Sequence, residues 1–171
     1  SAGHAALIDY PDAKGLEKIA IQIWTQGGMV CSVCHGPAMF PGIIDPATGK
    51  SVVHGKKYTG FGTEGEEVMG LSAILKSWGK PLVEDVAKES GATCEYFFMF
   101  HLNIVLCLLS VFECYNAVYG WKMKTNGITI DAPVPGPWDA FHVVDGRVMT
   151  GTNPASATET AEAILQVFKT L

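Results

Sequence analysis

Residues 27–37, Gly-Gly-Met-Val-Cys-Ser-Val-Cys-His-Gly-Pro, constrain the fold of this chain more than any other stretch. Residues 29–33 form a short apolar run with β-branched members, the pattern of a buried strand, and the run stops at Cys34-His35-Gly36-Pro37. Gly36 has no Cβ and permits a sharp bend, while Pro37 suits the first position of a helix, where its missing N–H costs nothing. The expectation is a strand, a tight turn bearing Cys34, and a helix start, which is the arrangement of a nucleophile elbow. Orphan N–H groups at a helix start favour a thiolate, the reactive form of cysteine.

With 171 residues, 48% hydrophobic and 17% charged, the chain is long enough for one domain with its own core. A net charge of -5 without a basic stripe argues against nucleic acid as a partner. Cys31, Cys34, Cys94, Cys107 and Cys114 make an odd set, and Ser1-Ala2-Gly3-His4 does not read as a secretory leader. A reducing compartment, the cytoplasm with the nucleus beside it, is expected. That same opening reads as the middle of a fold, so earlier strands are expected to be missing.

Leu7-Ile8-Asp9-Tyr10-Pro11 reads as a loop or strand end entering a proline turn. Leu16, Ile19, Ala20 and Ile23 recur at helical spacing and predict a helix buried on that face, ending at Gly27-Gly28. Beyond the elbow, residues 38–44 are expected as a short helix, 45–50 as a polar turn and 51–58 as a strand region with a turn at Gly55-Lys56-Lys57. Residues 60–67 form a glycine-punctuated loop with Glu64, Glu66 and Glu67, and 68–78 a helix burying Val68, Leu71, Ile74 and Leu75. Residues 81–87 read as connecting chain. Asp145-Gly146 between two apolar runs predicts a hairpin. A last helix starts either at Asn153 with Pro154 or at a capping box of Ser156 and Glu159, and buries Ala161, Ile164, Leu165 and Phe168. The alternation of helix and strand argues for an α/β layered fold with a mostly parallel sheet.

Residues 96–112 break this pattern, being seventeen residues with no acidic or basic side chain except His101. Three readings stand: a membrane span near the lower length limit, a buried core helix, or sequence foreign to the fold, such as a retained intron.

A catalytic thiol needs a base beside it and an acid to orient that base, so Cys34, His35 and one of the three glutamates form the sharpest constellation. The plainer alternative is a half-buried structural cysteine beside a surface histidine. Cys31-Ser32-Val33-Cys34-His35 also matches the attachment signature of c-type haem. Against haem, residues 31 and 34 of a strand face opposite ways and no export signal is visible. A redox dithiol is a further reading, but such motifs open a helix with the first cysteine, and here the second stands there. His54 and His142 read as surface or strand residues, and no spacing builds a zinc site, so no metal is expected. Cys94, Cys107 and Cys114 read as small hydrophobes.

Several motifs in order carry a family resemblance: Ser1-Ala2-Gly3-His4, Asp9-Tyr10-Pro11, Val33-Cys34-His35-Gly36-Pro37-Ala38, Thr59-Gly60-Phe61, Gly65-Glu66, Glu84-Asp85-Val86-Ala87, Gly136-Pro137-Trp138-Asp139 and Thr150-Gly151-Thr152-Asn153-Pro154-Ala155-Ser156-Ala157. Together they resemble the DJ-1/PfpI superfamily and, more closely, its fungal Hsp31-like branch, over residues 1 to about 93 and about 130 to 171. The resemblance implies a flavodoxin-like, class I glutamine amidotransferase-like α/β three-layer sandwich lacking its first strands. It implies a single domain over residues 1–171, interrupted by an apolar insertion at about 94–129. It further implies a glutathione-independent glyoxalase III, or D-lactate dehydratase, a lyase that converts the 2-oxoaldehyde methylglyoxal to D-lactate without metal or cofactor. Cys34 is then the nucleophile, His35 its partner and Glu66 the third member, with Gly3, His4, Ala5 and Gly36 on the oxyanion and substrate-binding side. Unfolded client proteins and a second copy of the chain are the implied partners, and the insertion, if native, would add membrane contact. Two departures stand out: Ala5 replaces a glycine of the family's Gly-His-Gly, and a family glutamate from the first strands has no counterpart.

Overall fold

The computed structural model describes residues 3–95 and 136–170, together with the strands of one hairpin within 123–130. They belong to two compact units, one of Ser1–Tyr96 with Pro137–Leu171 and one of Phe97–Gly136.

The first unit opens with α1 (Ala6–Asp9), where the sequence predicts a loop or strand end. The carbonyls of Gly3, His4 and Ala5 accept from the N–H groups of Ala6, Leu7 and Ile8, and this single turn sinks Leu7 beside Ala38 and Leu75. The helix expected before Gly27-Gly28 forms as α2 (Lys14–Thr25), but with a different face inward. Glu17, Ala20 and Trp24 are buried, whereas Leu16, Ile19 and Ile23 are exposed. Arg147 sets that orientation. Its guanidinium lies 3.7 Å over the Trp24 ring and donates to the carbonyls of Trp24 and Gly28 at 2.7 and 2.9 Å, which closes the C-terminal end of α2. Glu17 tolerates burial because Lys14 Nζ donates to it at 2.9 Å, and because Gly42 leaves the space that its carboxylate fills.

Next comes β1 (Val30–Val33), as expected, and after the elbow a 3₁₀ helix over Gly36–Gly42 in place of the helix expected at 38–44. Pro37 and Pro41 both lack the N–H that an α-helical ladder uses. The expected polar turn joins β2 (Ile44–Asp45) to β3 (Lys50–Ser51) as an antiparallel pair. The strand region at 51–58 is cut by a turn with Gly55 at φ 71°, so that β4 is only Lys57–Tyr58.

Two helices, α3 (Thr63–Val68) and α4 (Ser72–Ser77), replace the expected loop and long helix, because Gly70 at φ 69° ends the first. Leu75 is buried, but Val68 and Ile74 are exposed. The expected connecting chain is α5 (Val83–Ser90), which buries Val83, Val86 and Ala87 and is terminated by Gly91 at φ 67°. It leads to β5 (Thr93–Cys94), parallel to β4.

In the second unit β6 (Met123–Thr125) and β7 (Ile128–Ile130) form an antiparallel pair. Apart from Cys94, Glu95 and these two strands, the expected apolar insertion lies outside the described residues, as do His101, Cys107 and Cys114. Among the described residues no helix is long and apolar enough to cross a membrane.

Back in the first unit, the hairpin expected at Asp145-Gly146 is present as β8 (His142–Asp145) and β9 (Val148–Gly151). β9 is central in a three-stranded sheet of order β1-β9-β8, parallel to β1 and antiparallel to β8. The fold is therefore mixed α/β, and its described strand pairs are mixed rather than mostly parallel. Asn153 starts the last segment, capping the 3₁₀ turn Pro154–Ser156 that feeds α6 (Ala157–Phe168). Thr160 faces inward, while Leu165 and Phe168, expected inside, are exposed.

The core gathers Trp24, Val30, Phe40, Ile43, Val52, Val53, Tyr58, Val83 and Val148 between β9, the 3₁₀ helix and α5. Full burial of such a side chain stabilises by about 1.5–3 kcal/mol. This packing fixes the end of β1, where the elbow lies.

Candidate active site

β1 delivers Cys34 at its C-terminal end, and two hydrogen bonds clamp it there. The Cys34 N–H donates to the Gly151 carbonyl at 2.9 Å, and the Cys34 carbonyl accepts from the Phe61 N–H at 2.9 Å. Between these clamps Cys34 takes φ 65°, the one positive φ of a non-glycine among the described residues. That left-handed conformation costs an L-residue about 1–2 kcal/mol, so the clamps hold strain at the thiol. Two glycines make room for the bend. A Cβ on Gly36 would stand 2.9 Å from Ser32 Cβ, and one on Gly60 would stand 2.8 Å from the Cys34 carbonyl oxygen.

The turn lets neighbouring side chains meet. Cys34 Sγ lies 3.2 Å from His35 Nδ1, and His35 Nε2 lies 2.7 Å from Glu66 Oε1. Glu66 is brought in by α3, leaving Glu64 and Glu67 exposed. Gly65 sits against Phe61, where a Cβ would come within 2.7 Å of the ring, and Glu84 Oε1 accepts the Thr63 N–H at 3.1 Å at the start of α3. Phe61 stacks on His35 with centroids 5.1 Å apart, and Trp138 covers Phe61 at 5.3 Å. The loop carrying Trp138 is stapled by Asn153, whose Nδ2 donates to the carbonyls of Pro137 and Asp139 at 2.9 and 2.7 Å.

His4 occupies the second carboxylate oxygen, with Nε2 2.9 Å from Glu66 Oε2 and its ring centroid 4.2 Å from that of His35. A carboxylate only accepts, so both imidazoles donate to it through Nε2–H. The family resemblance puts His4 on the oxyanion side, and the sequence carries no sign that it would pair with a residue far along the chain. Gly3 and Ala5 are exposed at the entry to α1, and Gly36 is buried in the turn. Ala5 has φ -55°, a conformation that alanine adopts without strain, so the departure from glycine leaves this backbone unstrained.

The resting thiol differs from the sequence expectation. Burial pushes Cys34 up to about 11; the His35 backbone N–H acts against this and the Glu66 charge adds to it. The resting sulfur is therefore a thiol, donating to His35 Nδ1, and a thiolate forms as that nitrogen takes the proton.

No family model matches the chain. A crystal structure of glyoxalase III from Candida albicans superposes with a TM-score of 0.71 at 37% identity, covering 98% of this chain and 54% of that one. Architecture and cysteine elbow together are those of a mixed α/β protein, similar to structures of the DJ-1/PfpI type. By sequence the chain is 37% identical over 169 residues to Glyoxalase 3 of Candida albicans and 40% identical over 169 residues to the glutathione-independent glyoxalase HSP31 of Saccharomyces cerevisiae. Each match covers 99% of this chain and 56% of the relative, so the chain spans little more than half the length of these proteins. Over that shared part the sequence is similar to those of the fungal Hsp31-like glutathione-independent glyoxalases.

Proposed function

We propose that this chain carries the reacting groups of a glutathione-independent glyoxalase that turns methylglyoxal into D-lactate, with Cys34 as nucleophile, His35 as its base and Glu66 as the acid that orients His35. The observation that carries the reading is the continuous contact of Sγ with Nδ1 at 3.2 Å and of Nε2 with Glu66 at 2.7 Å, on a strained elbow. His35 Nδ1 takes the thiol proton as sulfur adds to the aldehyde carbon, and the imidazolium, held by Glu66, returns a proton to the new oxygen. The hydrogen on C1 then leaves as a proton and one is added at C2 through an enediol, which leaves a thioester at C1. Water hydrolyses the thioester, regenerates the thiol and releases the hydroxy acid. The sum is the addition of one water to the oxoaldehyde, with no external oxidant or reductant. This is the lyase, or D-lactate dehydratase, form of the activity.

The test is methylglyoxal loss and D-lactate gain without glutathione on folded protein, beside Cys34→Ala. Lactate that depends on Cys34 supports the reading, and a folded but inactive chain overturns it for this chain. A second reading, binding of unfolded clients, rests on the exposed apolar residues Leu16, Ile19 and Ile23 of α2 and Leu165 and Phe168 of α6. Suppression of client aggregation that survives Cys34→Ala would support it.

A further inference from the structure

We infer that His4, His35 and Glu66 form a latent site for a borderline divalent cation, zinc, whose binding stops the chemistry at Cys34. The inhibitory consequence rests on the proposed roles of Cys34 and His35; the binding itself does not.

The two imidazoles and the carboxylate each offer one donor atom, and these atoms all lie within 4.8 Å of one another. Two nitrogens and one carboxylate oxygen form a donor set that zinc takes with a fourth position left open. Zinc bonds of about 2.0–2.2 Å place tetrahedral donors roughly 3.4 Å apart, so the site needs an adjustment of about an ångström. His4 is the member suited to make it. Its side chain is 30% exposed, against 2% for both His35 and Glu66, and it precedes the first turn of α1 on the side from which a cation would enter. Glu66 supplies the negative charge that a cation requires in a buried setting.

Occupation changes the proton arrangement at the elbow. At rest His35 Nε2–H donates to Glu66, and Nδ1 accepts from the thiol. A metal on Nε2 needs that lone pair, so the ring proton must sit on Nδ1, facing Sγ 3.2 Å away. Nδ1 then has no capacity to take the thiol proton. Zinc and turnover thus exclude one another although the metal never touches sulfur.

The experiment is a titration of the metal-free full chain with cobalt(II), followed by displacement with zinc. The expected result is one cobalt per chain with tetrahedral d–d bands and no thiolate charge-transfer band. His4→Gln keeps an N–H for Glu66 Oε2 but is a poor ligand, and it should weaken binding by at least about tenfold. Cys34→Ala should bind as the parent does. A charge-transfer band lost in Cys34→Ala, or undiminished binding in folded His4→Gln, overturns the site. If His4→Gln fails to fold by circular dichroism, zinc protection of His4 from diethyl pyrocarbonate in the parent replaces it, and absence of protection overturns the site. Metal bound as expected on a chain that makes no lactate without metal would instead sink the glyoxalase reading. An active chain that keeps its rate when zinc is bound would sink the inhibition.

Discussion

His4 Nε2 donates to Glu66 Oε2 at 2.9 Å, so a residue near the start of the chain completes the hydrogen bonding of a carboxylate 62 positions later. The carboxylate is 2% exposed, and without His4 one of its oxygens would be buried and unpaired. Leaving a buried acceptor unsatisfied costs about 1–3 kcal/mol. His4→Ala is therefore expected to lower urea stability by that amount, and His4→Gln, which retains the donor, by much less. Equal losses in the two variants would mean that packing against His35 matters, not the hydrogen bond.

Cys34 at φ 65° makes a different prediction. Cys34→Gly and Cys34→Ala both remove the thiol, but only glycine accepts the left-handed conformation without strain. Cys34→Gly is expected to be the more stable of the two by about 1 kcal/mol, the reverse of the usual order in regular elements. Denaturant midpoints at matched slopes decide it. Neither variant should make lactate.

The sign of the Cys34 shift fixes its pH behaviour. A thiol with an ordinary value of 9.0 is pushed up to about 11 by burial. Between those values the unfolded chain has released its proton and the folded chain retains it, so rising pH favours unfolding. The contribution of Cys34 is intact below pH 9 and is lost as pH rises toward 11. Parent protein should lose stability across that window more steeply than Cys34→Ala. Alkylation by iodoacetamide should keep accelerating past pH 9; a rate that levels off near neutrality would show that the thiol rests ionised instead.

How much of this was legible in the sequence depends on what each signal measures. The β1 strand and the Asp145-Gly146 hairpin were readable because turn chemistry and strand composition act over a few residues. The buried faces of α2 and α6 were not. Periodicity in α2 marks Leu16, Ile19 and Ile23 as an apolar stripe, but a stripe is buried only where a neighbour meets it, and instead Arg147 packs on Trp24 while Lys14 and the space at Gly42 accommodate Glu17 inside. Helix α3 was hidden because Gly62 and Gly65 read as breakers, whereas Gly65 is required for Phe61 to lie against the helix. At the site, Cys34 and His35 were legible as neighbours on a turn. Glu66 was separated from Glu64 and Glu67 only through family resemblance, and α3 shows the physical basis, since of the three only Glu66 points inward.

Gly60 tests whether the clamp on the elbow carries function. A Cβ there would stand 2.8 Å from the Cys34 carbonyl oxygen and 2.6 Å from Val83 Cγ1, closer than real contacts allow. Gly60→Ala is expected to destabilise by about 1–3 kcal/mol, as overpacking does. Because Phe61 follows directly, the substitution also pulls its N–H from the Cys34 carbonyl. Any lactate-forming rate should then fall more than stability alone predicts when measured well below the unfolding midpoint.

Asn153 holds Trp138 over the site from a distance. It is fully buried, caps the turn into α6 by accepting the Ser156 N–H at 3.1 Å, and donates to the carbonyls of Pro137 and Asp139. Removing an N-cap side chain costs about 0.5–2 kcal/mol, and here two further hydrogen bonds go with it. Asn153→Ala is therefore expected at or above the upper end of that range. The loop loses its staple at the same time, so Trp138 should leave Phe61 and the aromatic stack that backs His35 should open. Tryptophan emission should shift to the red in the folded variant, with a Trp138→Phe control identifying the source. Emission unchanged in a folded but destabilised Asn153→Ala would confine Asn153 to capping and leave the position of Trp138 to its contact with Phe61.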